Sequence, residues 1–329
     1  MLDLIIWRIL SVFILLVLSG TSSAAQASGP EPASADAVRG IVAAFKQHPI
    51  VTIGEAHWLR QAGDFYVRLV RDAAFQEAVQ DIVIEFASRN NQPLLDRYIA
   101  GENVPIEDLR HIWRDTTKVA SWESPIYAEW LAEIREVNKG LPIGRRLRVL
   151  AGDTAIDWSK IRTHSDWAAL GDNDISISNV VIRQVLEKKH HALVVLGTNH
   201  VTRSGDRTGG ENTTTRIESR YPGSTYVVMA LHVGALDPAL EDQLGLPQRS
   251  APALYELAGT PQANARDANG LVLIKKVDAL LYLGPSTGFA LTVPLAGSLE
   301  PSYLKEVDRR SMIEWGELRA RKFLGPAAK

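Results

Sequence analysis

Short apolar runs recur along the chain, and each ends in an ionisable residue or in glycine followed by one. Pro49-Ile50-Val51-Thr52-Ile53 runs into Gly54-Glu55-Ala56-His57. Asp81-Ile82-Val83-Ile84 ends in Glu85, and Leu147-Arg148-Val149-Leu150-Ala151 ends in Gly152-Asp153. Ala192-Leu193-Val194-Val195-Leu196 ends in Gly197-Thr198-Asn199-His200. Runs that are apolar throughout, rather than alternating, predict buried parallel strands. After His57 the period changes: Leu59, Ala62, Tyr66, Leu69, Val70 and Ala73 recur at helical spacing. That predicts strand, tight turn, helix, with Gly54 relieving the turn of a Cβ clash. Glu55 and His57 would project at the start of the helix, at the carboxyl edge of a sheet, where open α/β folds bind ligands.

Helical periods also fall at 37–47, 91–100, 106–113, 126–137 and 175–189, and one or two helices are expected over 303–323. His190-His191 ends the fifth of these, as residues suited to a helix C-terminus. Further strands are expected at 224–233, 272–274 and 279–283, the last two paired with each other. Thr116–Pro125, between the helical periods at 106–113 and 126–137, reads with Trp113, Trp122 and Trp130 as part of a helical cap over the sheet edge. Gly205–Thr215, rich in Gly, Thr and Asn, reads as a mobile loop, and Leu236–Asn269 as a surface segment. The pattern predicts an α/β fold: a central, mostly parallel sheet flanked by helices, with a helical cap inserted at about residues 90–140.

Composition narrows the function. A net charge of −2 carries no signal for nucleic acid. With no cysteine, disulfides, thiolate zinc sites and a cysteine nucleophile are excluded. Arg8, the apolar run Ile9–Leu18 and the small-x-small triplet Ala25-Gln26-Ala27 predict a signal peptide over 1–27, too short for an ordinary membrane span. Residues 28–36 read as a disordered tether and 37–329 as a single domain. The mature protein is expected to be exported, to the periplasm or beyond, with no membrane span after cleavage; an uncleaved amino-terminal anchor is the alternative. Its partner is expected to be a small-molecule substrate, and no oligomeric state is specified.

Glu55, His57, Glu85 and His200 form the candidate constellation, because all four sit at strand ends that would share one rim. Two mechanisms use these residue types. In one, a histidine is the base that takes a proton from water, with a carboxylate fixing its tautomer and no cofactor required. In the other, His57, His200 and a glutamate such as Glu85 bind a divalent metal whose water is the nucleophile. Asp153 and the arginines Arg60, Arg89 and Arg203 are candidate substrate-binding residues, the arginines for an anionic group or a developing oxyanion. There is no Gly-x-Ser-x-Gly elbow, no His-Glu-x-x-His and no Walker A motif, which favours direct attack by water.

Gly54-Glu55-x-His57, the strand ending in Glu85 and the later strand ending in Asn199-His200 resemble the erythromycin-esterase-like superfamily, which includes ChaN-like haem-binding proteins and Tiki-type metalloproteases. The resemblance spans residues 50–201. It implies an α/β fold with the site at the strand ends. In the esterase branch, the histidine matching His57 activates water, and the residues matching Glu55, Glu85 and His200 line the same pocket. In the Tiki-type branch the equivalent positions bind metal, and in the haem-binding ChaN-like branch the pocket performs no established hydrolysis. An exported hydrolase of the esterase-like type is therefore expected, with a metal-dependent peptidase or a non-catalytic haem-binding protein as alternatives.

Overall fold

The computed structural model describes residues 34–55, 57–205, 209–231, 252–266, 270–293 and 299–324. The expected signal peptide and most of the tether lie outside these residues. Eight strands form one sheet: β1 (Ser34–Asp36), β2 (Ile50–Glu55), β3 (Asp81–Ser88), β4 (Arg148–Asp153), β5 (Ala192–Gly197), β6 (Thr225–Ala230), β7 (Ala253–Glu256) and β8 (Ala279–Tyr282). Their order is β1-β7-β8-β6-β2-β5-β3-β4. The six strands from β8 to β4 are parallel, and β7 is antiparallel to both β8 and β1. The chain leaves β2 for β3 and β4, then returns through β5 to lie between β2 and β3. The carboxyl ends of β2, β5 and β3 are thus adjacent where the winding reverses, the place where such sheets open a crevice.

The central strands are buried at every position, as their unbroken apolar runs require. On one face lie α1 (Ala37–Ala44), α2 (Arg60–Arg71), α3 (Ala73–Ala78), α4 (Gln92–Ile99) and α7 (Pro125–Gly140), whose apolar sides join one core with Val51, Ile53, Ile82, Ile84, Val149 and Val195. On the other face α9 (Asn173–Gln184) and α11 (Thr213–Arg220) cover Ile50, Val83, Val194 and Val227. The remaining helices are short, α5 (Ile106–Leu109), α6 (His111–Arg114), α8 (His164–Ala168) and α10 (Thr198–Val201), apart from α12 (Pro301–Trp315).

Several local expectations change. Residues 34–36 of the expected tether are edge strand β1, paired with β7, a strand that the sequence pattern did not reveal. The helix expected over 106–113 is split into α5 and α6. Residues 116–124 form turns rather than helix: Asp153 takes both the N–H and the hydroxyl of Thr117, and Ala120 has a φ of 57°. Pro125 then starts a new helix, so the residue before it is extended. Residues 272–274 contribute only a single bridge, from Val272 to Arg266, and β8 pairs with β6 and β7 instead. The end of the segment expected as a mobile loop is ordered: Asn212 accepts from Thr215 N–H and caps α11. Of residues 236–269, only 252–266 are described. Among the described residues, no helix is long and apolar enough to cross a membrane.

Candidate functional site

The turn after β2 is not made at glycine. Gly54 lies inside the strand, and its missing Cβ admits α10: a Cβ there would stand 2.6 Å from Val201 Cγ2 and 3.0 Å from the Thr198 Cα. The chain reverses at Trp58, which adopts a left-handed φ of 67°. An aromatic residue in that region costs about 1–2 kcal/mol, so its neighbours must hold it. Trp58 Nε1 donates to the Ser121 carbonyl at 2.5 Å, and Trp58 O accepts from both the N–H and the hydroxyl of Thr292. This strained turn sets His57 beside the last residue of β2. His57 Nδ1 lies 2.9 Å from Glu55 Oε1.

Glu55 is buried and receives two more donors. Tyr66 of α2 donates to Oε2 at 3.1 Å, and Tyr127 of α7 donates to Oε1 at 3.2 Å. Because the carboxylate accepts from Nδ1, neutral His57 carries its proton there and presents the lone pair of Nε2. Nε2 has no hydrogen-bond partner among the described residues, and the side chain keeps 31% of its surface exposed. Trp122, from the turns over 116–124, packs edge-on against the imidazole with ring centroids 4.6 Å apart.

The second half of the site comes from β3 and β5. Beyond Ile84 the pairing of β3 is irregular, and Glu85 stands at that break. Its Oε2 accepts the Gly197 N–H at 2.7 Å, and its Oε1 is 3.4 Å from His200 Nε2. His200 Nδ1 is 2.9 Å from Asp174 Oδ1, on the first turn of α9, which also accepts from the N–H and hydroxyl of Thr213. The two halves meet at Gly197: a Cβ there would stand 3.1 Å from His57 Nε2 and 3.5 Å from Glu85 Oε2. So Glu55, His57, Glu85 and His200 converge on one rim of the sheet.

Electrostatics separate the two imidazoles. For His57, burial pulls the pKa down, but the hydrogen bond and charge of Glu55 and the charge of Glu85 outweigh it, leaving a modest rise above 6.5. For His200, burial also pulls down, yet the carboxylates of Glu85 and Asp174 lift it to about 10. Glu85 is correspondingly held well below the usual carboxylate range: its burial is outweighed by His200, His57 and the Gly197 N–H. At neutral pH His200 is therefore an imidazolium. Both ring nitrogens of His200 and both oxygens of Glu85 face protein partners. Among the described residues, no group of three or more His, Asp or Glu is disposed to hold a metal ion.

The other expected residues lie elsewhere. Asp153 ends β4, fully buried; burial pushes its carboxyl up to about 7 against the two hydrogen bonds from Thr117, with the charge of Glu85 adding to the rise. The Arg60 guanidinium is taken by Asp64 and Glu129. Arg203 donates to Asp278 and to the carbonyl of Thr225, at the amino end of β6, away from the rim. Arg89 lies in a separate cavity along β4. Of the expected histidine pair His190-His191, His190 instead joins Arg148 on buried Asp81. Sequence reading missed Tyr66, Tyr127 and Asp174, and placed Trp122 in the cap without giving it a role. The tyrosines and tryptophan match ordinary core positions, and Asp174 matches an acid at a helix start.

No family model matches the chain, and no curated protein matches its sequence. Solved structures do match its fold. A mutant of erythromycin esterase in its open conformation superposes with a TM-score of 0.55 at 10% identity, covering 74% of this chain and 92% of that one. A succinoglycan biosynthesis protein gives 0.55 at 10% identity, covering 74% and 89%. A Bacillus cereus protein gives 0.54 at 11% identity, covering 75% and 91%. The fold is thus that of the erythromycin esterase, which the Gly-Glu-x-His resemblance implied.

Proposed function

We propose that the protein is a hydrolase that activates water with His57 for attack on an ester or a related bond. The observation that carries this is the Glu55–His57 pair, with Nε2 unpartnered and turned toward the Glu85–His200 pair across Gly197. Neutral His57 takes a proton from water at Nε2 as the water oxygen bonds to the carbonyl carbon. The imidazolium so formed is stabilised by Glu55, whose position Tyr66 and Tyr127 hold. His200, kept protonated by Asp174 and Glu85, supplies positive charge next to the developing oxyanion. Collapse of the tetrahedral species expels the alcohol, which takes the proton back from His57. A fold neighbour named as an esterase is consistent with this chemistry.

The test is hydrolysis of p-nitrophenyl esters and of aryl lactones by the wild type and by His57→Ala. A loss of about 10²–10⁴-fold is expected on removing a general base; equal rates overturn the assignment. We also propose export of the mature chain, on the pattern of residues 1–27. Amino-terminal sequencing of protein from the periplasmic fraction checks this, and an intact Met1 in the cytoplasm refutes it.

A further inference from the structure

A second site lies outside the rim. Strand β4 is the last in the sheet, so among the described residues one side of its backbone has no neighbouring strand. The side chain of Gln92 takes the neighbour's place: its Oε1 accepts the Ala151 N–H at 2.7 Å, and its Nε2 donates to the Val149 carbonyl at 2.8 Å. Backbone groups that would otherwise invite another strand are thereby satisfied. Gln92 fills the edge with one small amide, and a cavity of about 520 Å³ remains along it, between α4 on one face of the sheet and α9 on the other.

The lining of this cavity is unusual in charge. Arg89, Arg148 and Arg183 all border it, against one carboxylate, Asp96. Arg148 is already committed to Asp81 and to the Gln184 carbonyl. Asp96 accepts from Gln92. Arg89, just past the end of β3, and Arg183, on α9, have no ion pair or hydrogen bond to their side chains among the described residues. Both side chains are exposed to solvent where they border the cavity, so their guanidinium groups are free to meet an anion that enters it. The lining also includes the buried apolar residues Leu150 and Val180. The volume is that of a small-molecule site.

We infer that this cavity binds a small organic anion, its phosphate or carboxylate group held by Arg89 and Arg183 and its apolar or planar body laid on Leu150 and Val180. Guanidinium forks match both anions bidentately. The site stands apart from His57, so the inference holds whatever reaction the rim performs.

Titration calorimetry of the full chain tests it with four probes: inorganic phosphate, phenyl phosphate, benzoate and, as the uncharged control, benzyl alcohol. Phenyl phosphate or benzoate is expected to bind with a one-to-one stoichiometry. Phenyl phosphate is expected to bind more tightly than inorganic phosphate, and benzyl alcohol not to bind. Which of the two aromatic anions binds better identifies the anionic group. Arg183→Gln is expected to weaken binding about tenfold or more, the loss of one charge-assisted contact, and Leu150→Ala to weaken the aromatic anions but not inorganic phosphate. Neither substitution touches the Glu55–His57 pair, and circular dichroism with thermal unfolding of both variants checks that they are folded. No binding of either aromatic anion at millimolar concentration overturns the inference, as does equal affinity in the wild type and in folded Arg183→Gln.

Discussion

Gly197→Ala tests the proposed mechanism with the least other disturbance. The backbone there has φ −55° and ψ 143°, open to any residue. Alanine at a compatible position reduces the freedom of the unfolded chain and stabilises by about 0.4–1 kcal/mol. The new methyl would sit 3.1 Å from His57 Nε2, 3.2 Å from Cε1 and 3.5 Å from Glu85 Oε2, so the imidazole must retreat by a few tenths of an ångström. It cannot swing freely, because Glu55 holds Nδ1 and the Trp122 ring stands behind it. A displacement of about 1 Å costs roughly 10²-fold in rate, so the smaller shift should lower kcat by roughly five- to tenfold. The melting temperature should move by only a degree or two, in either direction. Gly197→Val, with two more carbons pressed into the same gap, should cost roughly 10²-fold or more. Steady-state kinetics on a chromogenic ester, alongside thermal unfolding, reads both quantities. If both variants keep wild-type kcat, Nε2 is not the atom that meets the reacting water, and the mechanism fails.

Other expectations follow from the same geometry. The kcat/KM profile should rise as His57 loses its proton, at an apparent pKa above 6.5, and fall as His200 loses its own near 10; Asp174→Asn should move the falling limb to lower pH. A falling limb that stays in place would show that His200 is not the group responsible. Tyr66→Phe and Tyr127→Phe each remove one donor to buried Glu55 and should each destabilise by about 1–3 kcal/mol in urea unfolding; a double mutant no worse than either single would break this account. Burial raises the Glu314 carboxyl to about 7, with the charge of Asp153 contributing, and its Oε2 has no partner. The fold therefore favours its protonated form, and that contribution is complete below pH 4.5 and lost as pH rises through 7. Glu314→Gln, which stays neutral, should melt higher than the wild type at pH 8.5 and equal to it at pH 4; a higher melting point at both would point to some other cause. Gly54→Ala should cost about 1–3 kcal/mol by overpacking against Val201 and the backbone of Thr198, and unchanged stability would show that α10 yields freely.

The strands that build the site were legible because their signal is local. A run such as Ala192–Leu196 is apolar at every position only if both faces are covered, which implies a parallel sheet under helices. The residues that end those runs then fall on one rim, and Glu55, His57, Glu85 and His200 do meet there. What tertiary structure alone decided is who faces whom across the chain. Tyr66, Tyr127 and Trp122 have helical or core spacing and become partners of Glu55 and His57 only when α2, α7 and the turns before α7 pack over β2. Asp174 reaches His200 across 26 positions, and Arg203, close to His200 along the chain, is drawn instead to Asp278. Periodicity reports which face of an element is buried; the pairing of charges depends on strand order and helix docking, which many sequences with the same period would settle differently.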